Sequence, residues 1–210
     1  MSRIEVKISP TVTEEQRQDT RFIKLLQNAK TFFNCSCVKC ARLKLLIGLH
    51  EGAHAYFARR AGAIKIEFHG PEMYWDSRPQ YNQPAISRSS VTWTDPNGFN
   101  NVTAKADLAG FVCRREMTDS PNDEIAIERD LAHCRARFDK HIGGEDKAFK
   151  LFVAEAERLL LEDLKSPFIR EEIWAEAKRF EKEIFPAPKL TSGLLRARRL
   201  GMGTCTATAT

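Results

Sequence analysis

Residues 45–62 read LLIGLHEGAHAYFARRAG, and inside them His50, Glu51 and His54 form a His-Glu-x-x-His pattern. The chain has five histidines, and two of them stand here, four residues apart around a glutamate. On an α-helix that spacing puts both imidazoles on one face, where two ring nitrogens can reach a single zinc ion at about 2.0–2.1 Å. Glu51 lies one position further on, beside the pair, where it can hold a water without becoming a ligand. Zinc lowers the pKa of such a water and polarises a carbonyl, and the glutamate takes the water's proton as it attacks a peptide bond. The bland alternative is a pair of ordinary helix histidines, because a pattern with two open positions also arises by chance. Its place within a helical segment, after the apolar run KLLIGL, favours the metal.

A second set of potential ligands is CSCVKC, with Cys35, Cys37 and Cys40. Three thiolates can bind a metal, yet structural zinc sites typically take a fourth Cys or His, usually from a second close pair. The remaining cysteines, Cys113, Cys134 and Cys205, form no such pair, so the sequence leaves the role of the cluster open. The opening MSRIEVKISPTVTEEQ has no apolar signal segment, which predicts thiols rather than disulfides.

The elements that must position these groups are legible from periodicity and capping. Thr13 and Gln16 make a capping box for a helix whose apolar positions are Phe22, Ile23, Leu26, Ala29 and Phe33. A second helix is expected from about 41 to 61, with Gly62 as its C′ residue and an inner face of Leu46, Leu49, Ala53 and Phe57. Gly52 and Ala53 are small enough to let a neighbouring element pack close. The alternation of Ile64, Ile66 and Phe68 in AIKIEF predicts a strand. EMYWD and SSVTWT predict two more, separated by a Pro/Asn/Ser-rich loop and followed by a DPNG turn. Helices resume at VTAKADLAGFVCRREM, with Thr103 as cap, and at SPNDEIAIERDLAHCRARF, opened by Ser120 and Pro121. Two amphipathic helices follow, EDKAFKLFVAEAERLLLEDL and SPFIREEIWAEAKRFEKEIF, the latter opened by Ser166 and Pro167 and closed before Pro186. There is no internal repeat and no phosphate-binding loop.

The bulk composition agrees with a soluble globular chain. It has 210 residues, 42% hydrophobic and 29% charged, with a net charge of +5. No run of eighteen apolar residues predicts a membrane span, and the expected location is cytoplasmic. Arg196, Arg198 and Arg199 concentrate positive charge before a Thr/Ala tail, expected to be disordered. The other charges are dispersed and balanced by acids, which ranks a nucleic-acid binder low.

With these residues in view, LHEGAHAYFARRAGA resembles the HEAGH-bearing helix of the FtsH-type zinc proteases, with the two middle residues exchanged. The resemblance runs from about Leu43 to Phe185. The short strand region, the helix ADLAGFVCRRE, the segment SPNDEIAIERDLA and the later amphipathic helices come in the family's order. It implies zinc, a protein or peptide substrate, and a third ligand in the aspartate of "ND", here Asp123. Asp123 also stands four residues before Ile127 on a stripe continued by Leu131, Cys134 and Phe138, and an inward carboxylate wants a partner, for which a cation is one solution. It could equally be a first-turn acid that suits the helix dipole. Glu124 and Glu128 are rotated about 100° from that stripe, and Asp119 precedes the helix. Two features depart from the family. With 49 residues before the motif, the chain has no room for the attached AAA ATPase or the membrane helices. Arg114 and Arg115 also stand where acidic residues are usual.

The expectation is a mainly α chain with a small β-sheet (α+β): a zincin-like helix in a helical bundle with inserted short strands. Residues 1–40 would form an N-terminal helix and Cys-rich segment, 41–185 the peptidase-like domain, and 186–210 the tail. The expected function is zinc metalloendopeptidase, with His50, His54 and Asp123 on zinc and Glu51 as general base. It would act alone on exposed or flexible segments, or with a separate ATPase. The alternative is a non-catalytic zinc-binding or regulatory module that keeps the fold.

Overall fold

The computed structural model describes residues 4–79, 81–87, 89–94, 98–120 and 124–186. The DPNG turn residues 95–97, Asp123 and the basic tail with Cys205 lie outside the described residues. Among the described residues the chain is mainly helical with a small β component, and it divides into two compact units.

The first unit comprises the described residues within 4–44, 70–90 and 182–186. The capping box of Thr13 and Gln16 is present and opens α1, Glu14–Gln18. The single helix expected from there to Phe33 is in fact two. Asp19 adopts extended backbone and its carboxylate accepts the Arg21 N–H at 2.7 Å, so it ends α1 and starts α2, Thr20–Asn34. Asp is a favoured N-cap because its side chain competes for backbone donors, and this local bond outweighs the helical periodicity around it. Phe22, Ala29 and Phe33 are buried, while Ile23 is exposed.

A three-stranded sheet completes this unit. β1 (Lys7–Ile8) pairs in parallel with β3 (Glu72–Asp76), which pairs antiparallel with β4 (Gln83–Ser87). β4 occupies what the sequence reads as loop. Pro84 faces Trp75 across the ladder, and because β4 is an edge strand the missing proline N–H is tolerated.

The second unit comprises the described residues within 45–69 and 91–181. α3 (Val38–Arg60) begins in the first unit and runs through the second. Residues 46–49 and 51–58 are all buried, as expected of a helix surrounded by others rather than lying on a surface. Gly62, at φ 91°, ends it in the left-handed conformation that glycine adopts without cost. β2 (Ile66–His69) and β5 (Ser90–Trp93) form a separate two-stranded sheet. β2 starts late, leaving Ile64 exposed, and Phe68 meets Phe180 edge-to-face at 5.0 Å.

α4 (Asn101–Met117) is the second enclosed helix, with Thr103, Ala104 and residues 106–113 buried. Its cap is Asn100 rather than Thr103. The Asn100 side chain accepts the N–H groups of Val102 and Thr103, and the Thr103 hydroxyl accepts the Asn100 N–H at 2.9 Å. Thr103 is thus the returning half of a capping box.

α5 (Glu124–His141), α6 (Asp146–Asp163) and α7 (Pro167–Ile184) surround this pair, contributing Cys134, Phe138, Ala156, Leu160, Ile173 and Ala177 to one core. Gly48 and Gly52 explain how α7 approaches α3. A Cβ on Gly52 would lie 2.6 Å from the Ala177 nitrogen, and one on Gly48 would lie 2.9 Å from the Ala177 oxygen. The two backbones touch there, and only hydrogen fits between them.

Candidate metal centre

Three helices supply the centre. His50 and His54 project from one face of α3, one turn apart, as their spacing requires. Their Nε2 atoms are 3.2 Å from each other. Asp130, in the second turn of α5, sets its Oδ2 at 3.4 Å from His50 Nε2 and 3.5 Å from His54 Nε2. α4 forms the floor beneath the two rings.

The dimensions of this triangle fit a metal. Two ligands on a tetrahedral zinc at about 2.0–2.1 Å stand roughly 3.3–3.4 Å apart, and the observed sides are 3.2, 3.4 and 3.5 Å. His50, His54 and Asp130 are therefore spaced as three residues that would hold one metal ion. The polar accounting agrees. Asp130 Oδ2 is buried and makes no hydrogen bond among the described residues, lying only at ion-pair distance from the two imidazoles, so its charge needs a cation beside it, either a protonated imidazole or a metal.

His54 is oriented for ligation from behind. Its Nδ1 lies 2.5 Å from the Ala106 carbonyl on α4. A carbonyl only accepts, so Nδ1 carries the proton and, in the neutral ring, Nε2 carries the lone pair that faces His50 and Asp130. A backbone carbonyl on the far nitrogen is the usual device for fixing a ligand tautomer. Burial disfavours a charged ring, but without metal the Asp130 carboxylate outweighs it, with help from Glu51, and raises His54 to about 9. Desolvation likewise opposes charge on Asp130, and the two imidazoles overcome it and hold the carboxyl well below its usual range.

The next layer ties α5 to α4. Asp107 follows Ala106, has a fully buried side chain, and accepts from Arg137 Nη1 at 2.7 Å. Arg137 is two turns beyond Asp130 on α5, so this ion pair pins the helix that carries Asp130 to the helix that holds His54. The Arg137 guanidinium also lies 5.8 Å from the Trp93 ring, and Trp93 stacks on His54 with centroids 6.1 Å apart. His133, three residues after Asp130, meets Trp93 edge-to-face with centroids 6.1 Å apart.

Gly110 has a specific reason to be glycine. A Cβ there would press on His54 Nε2 and would lie 2.5 Å from His50 Cε1 and 2.7 Å from His50 Nδ1. Glycine inside a helix costs about 1 kcal/mol relative to alanine, so Gly110→Ala would ordinarily stabilise α4. Here the added methyl must push both rings off the triangle. The expected result is a folded protein whose zinc affinity falls by roughly tenfold to a hundredfold, the scale of a disturbed ligand orientation. Competition against a chromogenic chelator measures it; unchanged affinity would mean that the rings are held elsewhere.

Of the residues singled out in the sequence, His50 and His54 come together, and Glu51 sits beside them, buried at 8% exposure and close enough to act on the charge of His54. Asp123 lies outside the described residues, and the carboxylate that the structure does bring to the pair is Asp130. The sequence carried a signal for it. Asp130 stands three residues after Ile127 and four before Cys134, both on the inward stripe, and it is the one acid in α5 with that spacing. No protein-family model, no curated protein and no solved structure matches the chain.

Proposed function

We propose that this protein is a zinc metalloendopeptidase of the kind the FtsH-type proteases exemplify, with His50, His54 and Asp130 holding the ion and Glu51 as general base. The observation that carries the proposal is the triangle of two imidazole nitrogens and one buried carboxylate oxygen, spaced as the ligands of a single ion are. A set of two histidines and one carboxylate leaves a fourth position for substrate chemistry, as catalytic zinc sites do and closed structural sites do not.

When bound there, the ion supplies Lewis acidity, polarising a peptide carbonyl and making water acidic enough to react near neutral pH. The rest belongs to the chain. Glu51 accepts a proton from the attacking water through its carboxylate and returns it to the departing amine nitrogen, so the carbon–nitrogen bond breaks without releasing a free amide anion. Its low exposure keeps competing water away from that proton. Ala106 and Asp130 hold the two sides of His54, and Trp93 covers its ring.

The test is metal content followed by cleavage. Purified chain should carry about one zinc on these ligands and should cut an unstructured protein such as casein, with activity lost to 1,10-phenanthroline and restored by added zinc. Zinc at full occupancy with no cleavage of casein or of a mixed peptide library would instead favour the non-catalytic module.

A further inference from the structure

The sulfur cluster before α3 remains unused by that chemistry. Cys35 caps the end of α2, Cys37 immediately precedes α3, and Cys40 lies in its first turn. The three Sγ atoms all lie within 4.8 Å of one another, and none of the three forms a disulfide. We propose that Cys35, Cys37 and Cys40 form a second metal site, a thiolate site for a zinc-class divalent ion, sharing no residue with the histidine–aspartate centre.

Three features of the local structure favour thiolates and a metal. The Cys37 N–H donates to Cys35 Sγ at 3.5 Å, and the Cys40 N–H donates to Cys37 Sγ at 3.4 Å. Backbone donors aimed at sulfur favour the anion over the thiol, and the first turn of a helix adds its dipole in the same sense. Lys44 supplies the compensating charge. The residue is buried, and its ammonium donates to the carbonyls of Phe33 at 2.7 Å and Cys35 at 2.8 Å. Three thiolates and one divalent ion leave a net charge of −1, which a cation fixed on the Cys35 backbone offsets. Those same two bonds hold the turn between α2 and α3 that brings the sulfurs together. The remaining adjustment is small. Sulfurs on a tetrahedral zinc at about 2.3 Å stand roughly 3.8 Å apart, so with all three within 4.8 Å of one another no pair need close by more than about 1 Å. Solvent takes the fourth position.

The other described cysteines are unlike these. Burial pushes the Cys113 thiol far up and the Cys134 thiol up to about 12, which keeps both protonated and out of metal chemistry.

The experiment uses the full chain with His50→Ala and His54→Ala, reduced with a phosphine and titrated with Co2+. The expected result is one Co2+ per chain with a thiolate-to-cobalt charge-transfer band in the near ultraviolet, displaced by one equivalent of Zn2+. In the same background Cys37→Ser should weaken binding by roughly a hundredfold or more. The complementary chain, with Cys35, Cys37 and Cys40 all changed to Ser and both histidines intact, should bind Co2+ without that band, so the proposal is read even if the double-alanine chain does not fold. Three outcomes would overturn it: no charge-transfer band in a chain with all three cysteines, a band that survives the triple serine change, or a Cys37–Cys40 disulfide found by non-reducing mass spectrometry after incubation with Zn2+.

Discussion

Asp130→Asn is expected to lower zinc affinity by on the order of a thousandfold, about 4 kcal/mol, with the fold retained. The amide has the same shape as the carboxylate, so packing on α5 is preserved. What is lost is the only charged ligand of the triangle, and two neutral imidazoles leave a zinc ion short of the three protein ligands typical of a catalytic site. The assignment has a direct rival. The resemblance to FtsH-type proteases points to Asp123, so Asp123→Asn belongs in the same measurement, with Glu128→Gln as a helix-surface control. Loss with Asp130→Asn and little change with Asp123→Asn supports the triangle; the reverse pattern moves the third ligand to Asp123.

The same variant has a consequence for the metal-free protein. His54 is raised from 6.5 to about 9, so its ion pair contributes stability that is fully present below pH 6.5 and is lost as pH rises through about 9. Asp130 is lowered from 3.8, so its share is present above that pH and lost under more acidic conditions. Metal-free wild type should therefore become less stable between pH 6.5 and 9. Zinc binding should strengthen over the same interval, because the metal displaces the proton on His54. Asp130→Asn should flatten the metal-free dependence. Thermal melts at three pH values, with and without zinc, read both slopes, and parallel slopes would contradict the link between proton and metal.

Glu51→Gln is expected to reduce peptide hydrolysis by roughly 10²–10⁴-fold, the usual contribution of a positioned general base, while zinc content stays at the wild-type level. The substitution keeps volume and removes only the ability to accept a proton. The effect should fall on kcat, because an amide can still hydrogen-bond a water but cannot take its proton. Equal loss of metal and activity would make Glu51 a ligand or a structural group. Undiminished hydrolysis would remove it from the mechanism.

What the sequence by itself determined were the features set by short-range chemistry. The spacing of His50 and His54 needs only a helix to put both rings on one face, and the helical recurrence of Leu46, Leu49, Ala53 and Phe57 points to that helix. The Thr13–Gln16 box, the Gly62 terminus and the Ser166-Pro167 start of α7 follow from hydrogen bonds within one turn. The sequence went astray where two local preferences competed, as at Asp19, whose cap splits one expected helix into two. It also missed β4, whose Pro84 reads as a loop until β3 is placed beside it as an edge partner. The third candidate ligand belongs to the tertiary structure. α5 carries several acids, and the sequence reading placed the ligand at Asp123, just before that helix begins. The choice of Asp130 depends on how far α5 slides along α4, and the Arg137–Asp107 pair sets that position across thirty residues of chain. Gly110 belongs there too, since no pattern within α4 states that two imidazoles from another helix will lie against it. A helix face is a property of neighbours four residues apart, whereas a triangle of ligands from α3 and α5 exists only once their packing fixes distances to within a few tenths of an ångström.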